Sequence, residues 1–292
     1  MSDEAPAATV RSLREEMAAL LARAGVPAPD VDTDVLIGHV LDVSRGRVQA
    51  LTVLDAPLGS GDAARLRRLA ERRAAREPVQ HITGRAPFRS LELAVGPGVF
   101  VPRPETEQTT QFAIDALRAV PSPEPVAVDL GTGSGAIALA LATEVPHARV
   151  FAVENSPEAF VWSRRNIDGA GAPNVRAVFV DLADALPELD GTVDVVISNP
   201  PYVPDAAVPR DPEVRLFDPH VAFYGGEDGL DIVRTISWVA WRLLRSGGAL
   251  VLEHGERQGA AVRDLLTADG WRAAATHRDL TARDRVTTAR RA

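Results

Sequence analysis

Short apolar segments alternate with helical segments along residues 125–254, and this alternation predicts the fold class. Strand character is strongest in the segments 125–130, 148–154, 175–181, 193–198 and 248–254. Helical stretches such as 135–145 and 156–167 lie between them. Buried strands separated by helices are typical of a parallel sheet that is covered on both faces, so we expect an α/β domain. The tail 271–291 predicts two further strands joined by a polar turn.

A small helical domain is predicted to precede the α/β domain. The spacing of apolar residues predicts helices over 10–24, over 30–42 and from Ser60 onward, with Ser60 as the N-cap of the last. The helical domain is assigned to residues 1–77. Residues 78–105 alternate and contain Gly and Pro, which suits a β-hairpin connector, and the α/β domain takes 106–292.

The composition excludes several classes of function. The 292 residues carry a formal net charge of −8, which disfavours direct nucleic-acid binding because phosphate contacts depend on clustered cations. There is no cysteine, so thiol nucleophiles, thiolate metal sites and disulfides are excluded. His81, His220 and His254 show no metal-ligand spacing, and no metal site is expected. Neither a signal-peptide pattern nor a membrane span is found, so we expect a cytoplasmic protein.

The stretch VDLGTGSGAIAL, residues 128–139, follows a predicted strand and opens a predicted helix. Its glycines allow the backbone to make a tight turn and to approach a ligand closely. Gly131, Gly133 and Ala136 also satisfy the dinucleotide-binding spacing, so the loop alone leaves a nicotinamide-dependent oxidoreductase open. A glycine turn with a structural role and no ligand is the third interpretation.

Three acidic residues stand at the ends of three successive predicted strands. Asp129, beside the glycine loop, would repel a pyrophosphate but suits a ligand with an ammonium and a sulfonium group, such as S-adenosylmethionine. Glu154 could accept hydrogen bonds from the ribose hydroxyls, and Asp181 could accept one from the adenine amino group. Acidic residues at strand ends are often only solvated, but ligands of open parallel sheets bind at this edge. Their alignment favours an S-adenosylmethionine site.

The segment VDVVISNPPYVPD, residues 193–205, turns abruptly from a predicted buried strand into Asn199, Pro200, Pro201 and Tyr202. The prolines fix the backbone and donate no hydrogen bonds. The Asn199 side-chain oxygen and the Pro200 carbonyl could each accept one N–H of an amide or aromatic amine, and Tyr202 could pack on its plane. Both hydrogen bonds would strengthen as the nitrogen gains positive charge in the transition state. A plain proline-rich turn is the alternative.

This corner, which we call the NPPY corner, does not choose between acceptors by itself. A glutamine amide and the exocyclic amine of adenine present the same poorly nucleophilic nitrogen. The residues therefore leave open a protein glutamine methyltransferase and a nucleic-acid adenine methyltransferase. The acidic charge balance disfavours the second. Asp129 and the NPPY corner disfavour the interpretation as a nicotinamide-dependent oxidoreductase.

Several segments resemble landmarks of the HemK/PrmC methyltransferases, which modify the side-chain N5 amide of glutamine in peptide chain release factors. The segments are EPVQHITG, PGVFVPRPETE, DLGTGSGAIALALA, ISNPPYV, GGEDGLD, GGALVLEHGERQ and DLTARDRV, in the family's order. They span nearly all of residues 77–292. The resemblance implies a Rossmann-like, seven-stranded class I S-adenosylmethionine-dependent methyltransferase domain, preceded by a small helical bundle and a β-hairpin connector.

The same resemblance implies a site. The implied binding residues for S-adenosylmethionine, which leaves as S-adenosylhomocysteine, are Gly131, Thr132, Gly133, Ser134, Gly135 and Glu154, with Asp181 and Leu182 near the adenine. Asn199, at the end of the fourth predicted strand, is expected beside the methyl group of the cofactor. The implied acceptor is the glutamine of the Gly-Gly-Gln loop of class 1 release factors, placed at Asn199, Pro200, Pro201 and Tyr202. A ribosomal-protein glutamine is an alternative acceptor. The N-terminal helical domain is implied to help in recognising the partner.

Two further segments leave their roles open. RPETE, residues 103–107, could close over the site or could begin a helix that Thr106 caps. An arginine cluster in the helical domain could touch a release factor or nearby RNA, or could be a solvated helix face. Its members are Arg65, Arg67, Arg68, Arg72, Arg73 and Arg76.

Overall fold

The computed structural model describes residues 8–209 and 211–292, which form two compact units. One unit contains the chain up to Gly84 together with the later segment Pro209–Phe217, and the other contains Arg85–Val208 and Asp218–Ala292. The helical unit therefore extends past residue 77, and the hairpin connector belongs to the second unit. The segment 209–217, expected in the α/β domain, falls in the helical unit instead. The first seven residues of the predicted helical domain lie outside the described residues.

The helical unit packs five helices of the N-terminal region around one apolar core. They are α1 (Val10–Arg23), α2 (Pro29–Leu41), α3 (Arg45–Val53), α4 (Ser60–Ala74) and α5 (Val79–Thr83). The sequence prediction missed α3 and α5. It also placed the N-cap of α4 one residue late, because the N-cap is Gly59 and Ser60 is the first helical residue. Leu13, Leu36 and Leu66 meet in the core, each almost fully buried.

Most of the predicted arginine cluster is neutralised within the helical unit. Arg73 pairs with Asp32 and with Glu213 of the short helix Pro212–Phe217, and Arg76 also pairs with Glu213. Arg67 and Arg72 pair with Glu16 and Glu77 respectively. Only Arg65 and Arg68 stay exposed without an ion pair among the described residues. The cluster is therefore largely a set of structural ion pairs, and it is not a free basic patch.

The second unit contains a hairpin and a seven-stranded sheet. The hairpin joins β1 (Arg85–Phe88) to β2 (Leu91–Ala94). The sheet is formed by β3 (Val126–Leu130), β4 (Arg149–Glu154), β5 (Val175–Phe179), β6 (Val193–Ser198), β7 (Leu244–Glu253), β8 (Arg272–Arg278) and β9 (Asp284–Arg290). Its order is β5-β4-β3-β6-β7-β9-β8, with β9 antiparallel to both neighbours. The predicted α/β fold with a seven-stranded sheet is confirmed.

Helices cover both faces of this sheet, as the strand pattern predicted. They are α6 (Pro104–Arg118), α7 (Ala136–Glu144), α8 (Pro157–Ala170), α9 (Asp231–Leu243) and α10 (Gly259–Ala268). Residues that alternate along the strands enter two separate cores, because successive side chains of a strand point to opposite faces. The core that contains Ala127 and Val195 is packed by α6, α7 and α8. The core that contains Val128 and Val196 is packed by α9 and α10.

The sheet order places one ligand-binding edge at the centre of the unit. The chain proceeds outward from β3 to β5 and then returns to the other side of β3 as β6. In open parallel sheets, ligands bind at the carboxyl ends of the strands where the order reverses. The glycine loop follows β3 and the NPPY corner follows β6, so the two sequence motifs lie at this position. Among the described helices, none combines the length and the apolar character that a bilayer crossing requires.

Candidate active site

A cavity of about 400 Å³ opens at the carboxyl edge of the sheet, wholly within the α/β unit. The connector contributes Gly98, Phe100 and Pro102, and α6 contributes Thr106. Most of the remaining wall is formed by the glycine loop and the start of the helix after it, the end of β4 with the residues that follow it, the NPPY corner and the segment 219–224. Leu182 and Ile232 complete it. The two motifs that the sequence singled out therefore face one enclosed space.

The glycine loop bends around the end of β3 through left-handed backbone. Gly131, Gly133 and Gly135 have φ values of +74°, +57° and +84°, a region that side chains disfavour. The N–H groups of Gly131 and Thr132 both donate to the Val153 carbonyl at 2.9 Å, which ties the loop to β4. A Cβ atom at Gly131 or Gly133 would meet no atom within 4 Å and would project into open space. The loop therefore presents backbone to the cavity.

Glu154 ends β4 and is 7% exposed. Its Oε2 accepts from the Gly133 N–H at 2.7 Å, and its Oε1 accepts from the N–H groups of Asn155 and Ser156 at 3.0 and 2.9 Å. These three donors fix the carboxylate at the cavity wall. Each oxygen can accept more than one hydrogen bond, so the carboxylate keeps the capacity to bind hydroxyl groups of a ligand.

Asp129 lies behind the glycine loop and does not line the cavity. It is fully buried, and its Oδ2 accepts from the Thr132 hydroxyl at 2.5 Å and from the Ala138 N–H at 3.2 Å. Its Oδ1 has no hydrogen-bond partner among the described residues. Burial raises the pKa of Asp129 to about 7, against the effect of these two donors. A cationic ligand near the loop would favour the charged form.

The predicted adenine end differs in detail from the expectation. Leu182 lines the cavity, whereas Asp181 is exposed beside it and does not. The Asp181 carboxylate accepts from the Ala183 N–H at 3.0 Å and from Asn155 Nδ2 at 3.2 Å. It caps a short turn and holds Asn155, which itself lines the cavity. Contact between Asp181 and an adenine amino group stays a prediction.

The NPPY corner begins where β6 ends. The Ser198 hydroxyl donates to the Leu130 carbonyl at 2.6 Å, which holds the ends of β6 and β3 together. Asn199, Pro200, Pro201 and Tyr202 follow, and all four line the cavity. The Asn199 Nδ2 donates to the Thr106 hydroxyl at 3.1 Å. Within the described residues no group donates to the Pro200 carbonyl, so this oxygen is available to a ligand.

A glycine-rich turn packs directly against the backbone of the corner. A Cβ at Gly225 would lie 2.5 Å from the Pro201 carbonyl oxygen, and a Cβ at Gly229 would lie 2.3 Å from that of Tyr202. Such distances are not tolerated, so these positions require glycine. Gln258 Nε2 donates to the Tyr202 carbonyl at 2.9 Å. The corner is therefore fixed by segments that are distant in sequence.

Tyr202 is half-buried beside two charged groups. Its hydroxyl accepts from Arg285 Nη1 at 3.4 Å. Burial raises its pKa, and so does the negative charge of Glu253, so the phenol keeps its proton. The ring lines the cavity, as required for packing against a planar acceptor.

The RPETE segment begins α6, and Thr106 is not its cap. The N-cap is Arg103, without a side-chain cap bond, and Thr106 lies within the first helical turn. Arg103 donates to Asp218 at 2.7 Å and lies 5.0 Å from the centre of the Phe100 ring. Burial raises the pKa of Asp218 to about 6, while Arg103 opposes the shift. The capping hypothesis is wrong, and the Thr106 hydroxyl oxygen accepts from Asn199 Nδ2 instead.

The structure brings most predicted site residues to one cavity and leaves three outside its wall. The lining set is Gly131, Thr132, Gly133, Ser134, Glu154, Leu182, Asn199, Pro200, Pro201 and Tyr202. Asp129, Gly135 and Asp181 lie behind or beside it; Gly135 is the N-cap of α7. Sequence reasoning missed the roles of Thr106, Gly225, Gly229, Glu253 and Gln258. The segments GGEDGLD and GGALVLEHGERQ contain most of them, but nothing local indicates that they contact the corner.

The cavity fits S-adenosylmethionine on structural grounds. The buried Asp129, whose Oδ1 has no described partner, can ionise when a cationic ligand binds near the loop, and Glu154 offers oxygen acceptors at the wall. The glycine loop leaves space where side chains would intrude. Glu154 and the glycine loop would hold S-adenosylmethionine, which supplies an activated methyl group when bound.

Solved structures of methyltransferases share the fold. A 16S rRNA N2 methyltransferase of T. thermophilus, solved with AdoMet and guanosine, aligns with a TM-score of 0.51 and 22% identity over 71% of this chain and 50% of that chain. The catalytic domain of hMettl16, solved with an RNA hairpin, aligns with a TM-score of 0.54 and 16% identity over 68% and 75%. Fold and site together define a class I S-adenosylmethionine-dependent methyltransferase.

Sequence comparisons identify the family. Residues 12–84 match the PrmC N-terminal domain, and residues 90–219 match the methyltransferase small domain. The release factor glutamine methyltransferase of Streptomyces coelicolor is 52% identical over 93% of this chain and 94% of its own length. That of Mycolicibacterium smegmatis is 46% identical over 97% and 98%. The chain belongs to the release factor glutamine methyltransferase family, which confirms the resemblance seen in the sequence.

One relative shows that this family scaffold accommodates another acceptor. The 4-amino-L-phenylalanine/4-methylamino-L-phenylalanine methyltransferase of Streptomyces pristinaespiralis is 40% identical over 91% of this chain and 90% of its own length. By its name, that enzyme methylates an aromatic amine.

Proposed function

We propose that this protein transfers a methyl group from S-adenosylmethionine to the side-chain N5 amide of the glutamine in the Gly-Gly-Gln loop of class 1 peptide chain release factors. It would act in the cytoplasm, and the helical unit would help to recognise the release factor. The similarity to release factor enzymes along almost the whole chain, including their N-terminal domain, supports the partner.

The proposal depends on one structural observation. Asn199 and Pro200 line the same cavity as the glycine loop, and no described group donates a hydrogen bond to Asn199 Oδ1 or to the Pro200 carbonyl oxygen. An unmethylated glutamine amide has two N–H donors, so both can be accepted at once. The acceptor nitrogen is then held by Asn199 Oδ1 and the Pro200 carbonyl, while the Tyr202 ring packs against the plane of the amide.

These residues accelerate the reaction by binding the transition state more tightly than the substrate. The amide nitrogen is a poor nucleophile because its lone pair is delocalised into the carbonyl. As it forms a bond to carbon it gains positive charge, and both hydrogen bonds strengthen. The alkylated nitrogen is acidic, so its proton leaves to water without a dedicated base.

The neighbouring residues support an uncharged, planar acceptor. The raised pKa of Tyr202 keeps the phenol protonated at the wall, so it does not compete as a nucleophile. The formal net charge of −8 opposes a polyanionic acceptor such as RNA or DNA. A glutamine on an extended protein loop meets both conditions.

The experiment is an acceptor comparison with labelled S-adenosylmethionine. The acceptors are a release factor, the same factor with its Gly-Gly-Gln glutamine replaced by alanine, a ribosomal protein, RNA and 4-amino-L-phenylalanine. We expect label only in the unaltered release factor, with mass spectrometry locating one methyl group on that glutamine. Label in RNA or in the amino acid, with none in the release factor, would refute the assignment.

A further inference from the structure

Within the described part of the chain, only one of the two polar atoms of the Asn199 side-chain amide has a hydrogen-bond partner. Its Nδ2 donates to Thr106 Oγ1 across 3.1 Å, and no described group donates to its Oδ1. The oxygen and nitrogen of an amide have nearly the same size, so packing alone does not decide which of them faces a substrate. The hydrogen-bond partners must decide it.

A buried carboxyl group lies near the partner hydroxyl. Glu253 ends β7, is 1% exposed, and accepts from the Thr109 hydroxyl at 2.9 Å. Burial raises the pKa of Glu253 to about 7, and the hydroxyls of Thr109 and Thr106 oppose this by favouring the charged form. A hydroxyl has one proton to donate. If Thr106 gives that proton to Glu253, only its lone pairs remain for Asn199.

The next turn of α6 shows what a buried threonine does without such a partner. Thr110 is fully buried, and its hydroxyl donates to the Thr106 carbonyl at 2.8 Å, the usual bond to the preceding helical turn. Thr106 makes no such bond within the described chain. It lies at the cavity wall with its hydroxyl turned to the NPPY corner.

From this geometry we propose that Thr106, directed by Glu253, is a positioning residue that holds the Asn199 amide with Nδ2 inward and Oδ1 toward the methyl acceptor. This deepens the proposed function and rests on it, since it concerns how the acceptor nitrogen is bound. In the reversed orientation, the Asn199 NH₂ group would face the N–H groups of the substrate. One of the two acceptors would then be lost and replaced by an opposing donor.

The test compares three threonine variants with a release factor as the methyl acceptor. Thr106→Val removes the hydroxyl at nearly constant shape, Thr106→Ser keeps it, and Thr110→Val is the matched control on the same helix. We expect Thr106→Val to lower kcat about tenfold, the scale of one hydrogen bond. The affinity for S-adenosylmethionine, measured by calorimetry, should stay within about threefold because its binding groups are untouched. Thr106→Ser should recover most of the activity, and Thr110→Val should keep it.

Glu253→Gln tests the origin of the orientation. A glutamine at this position can donate to Thr106, which frees the Thr106 proton to bind Asn199 Oδ1 and favours the reversed amide. We expect a loss of kcat similar to that of Thr106→Val despite the nearly unchanged side-chain shape. Unchanged kcat in Glu253→Gln would contradict the assigned role of Glu253.

A double variant separates this inference from the function on which it rests. In an Asn199→Ala background, Thr106→Val should have less than about a twofold further effect on kcat, because its partner is gone. Full activity of Thr106→Val beside an impaired Asn199→Ala would overturn the inference and leave the proposed function intact. Equal losses in Thr106→Val and Thr110→Val, or failure of Thr106→Ser to recover activity, would also overturn it. Full activity of Asn199→Ala would refute both.

Discussion

The two halves of the cavity wall are held in place by different kinds of contact. In the half formed by the glycine loop, glycine backbone at positive φ bends around the end of β3, and the buried Asp129 behind it accepts from Thr132, three residues away. In the half formed by the NPPY corner, prolines stiffen the backbone, and the buried Glu253 behind it accepts from Thr109, 144 residues away in sequence. In both halves burial raises the pKa of the carboxyl group to about 7. The loop is locally encoded, whereas the corner is assembled from distant segments.

This difference separates cofactor binding from acceptor chemistry. Substitutions in the loop half should change the affinity for S-adenosylmethionine, and substitutions in the corner half should change kcat. The first three changes below test that division, and the fourth tests the buried carboxyl group behind the loop; they run from the largest expected effect to the smallest.

Replacing Asn199 by alanine should have the largest effect. Loss of one preorganised hydrogen-bonding group at a developing charge typically costs about 10² to 10³ in rate, or roughly 2.7 to 4 kcal/mol. We expect this loss in kcat with a release factor, while the affinity for S-adenosylmethionine changes little. Steady-state kinetics and calorimetry on the same preparation measure both. A large loss of cofactor affinity would mean that the corner mainly binds the cofactor.

Gly133→Val should weaken cofactor binding about 100-fold, since a branched residue is strained at a φ of +57° and its side chain would enter the cavity. Gly171→Val is the matched control. Gly171 has a φ of +58° and open space around it, and it lies at the end of α8 away from the cavity. The control should lose stability without losing cofactor affinity. Equal effects on affinity would show that strain alone is responsible.

Gly229→Ala should lower kcat about tenfold and destabilise the fold by about 1 to 3 kcal/mol. Its Cβ would lie 2.3 Å from the Tyr202 carbonyl oxygen and would displace the corner. Gly171→Ala again controls for the positive φ, because a Cβ there meets no atom within 4 Å. If both variants keep kcat, the corner does not depend on the glycine turn packed against it.

Asp129→Asn should change how stability depends on pH. The folded pKa of Asp129, about 7, lies above the usual value near 3.9, so between these values the folded state holds a proton that the unfolded state has lost. Protonated Asp129 therefore adds to the free energy of unfolding at low pH. This contribution is lost as the pH rises to about 7, by up to about 1.4 kcal/mol per pH unit. Chemical denaturation from pH 5 to 8, without cofactor, should show a flatter profile for the variant. Parallel profiles would show that burial does not raise the pKa of this carboxyl group in the folded protein.

Periodicity predicted most of the fold because strands and long helices are encoded locally. The strands β3, β4 and β6 lie within a residue of the predicted bounds. The short helices α3 and α5 were missed, since nine and five residues offer little periodicity. The segment 209–217 was expected in the α/β domain but belongs to the helical unit, where Arg73 and Arg76, more than 130 residues earlier, hold Glu213.

The candidate site likewise contains features that the local sequence predicts and features that it does not. The loop residues were predictable because the motif, the strand and the helix are contiguous. Asn199 was predictable from its own chemistry, but its partner Thr106 lies 93 residues earlier and was taken for a helix cap. Asp129 was expected beside the loop as a carboxylate that suits a cationic ligand, and its contact with the cofactor stays a prediction; the two hydrogen bonds that hold it behind the loop were not predicted. Burial and distant pairing determined these details, and neither can be read from local pattern.

A structure of the protein with S-adenosylhomocysteine and a bound release factor tests the central claim most directly. The account predicts that the amide nitrogen of the Gly-Gly-Gln glutamine lies within about 3.2 Å of both Asn199 Oδ1 and the Pro200 carbonyl oxygen, with Asn199 Nδ2 still bound to Thr106. A glutamine amide held by other groups, or one that faces Asn199 Nδ2, would contradict it.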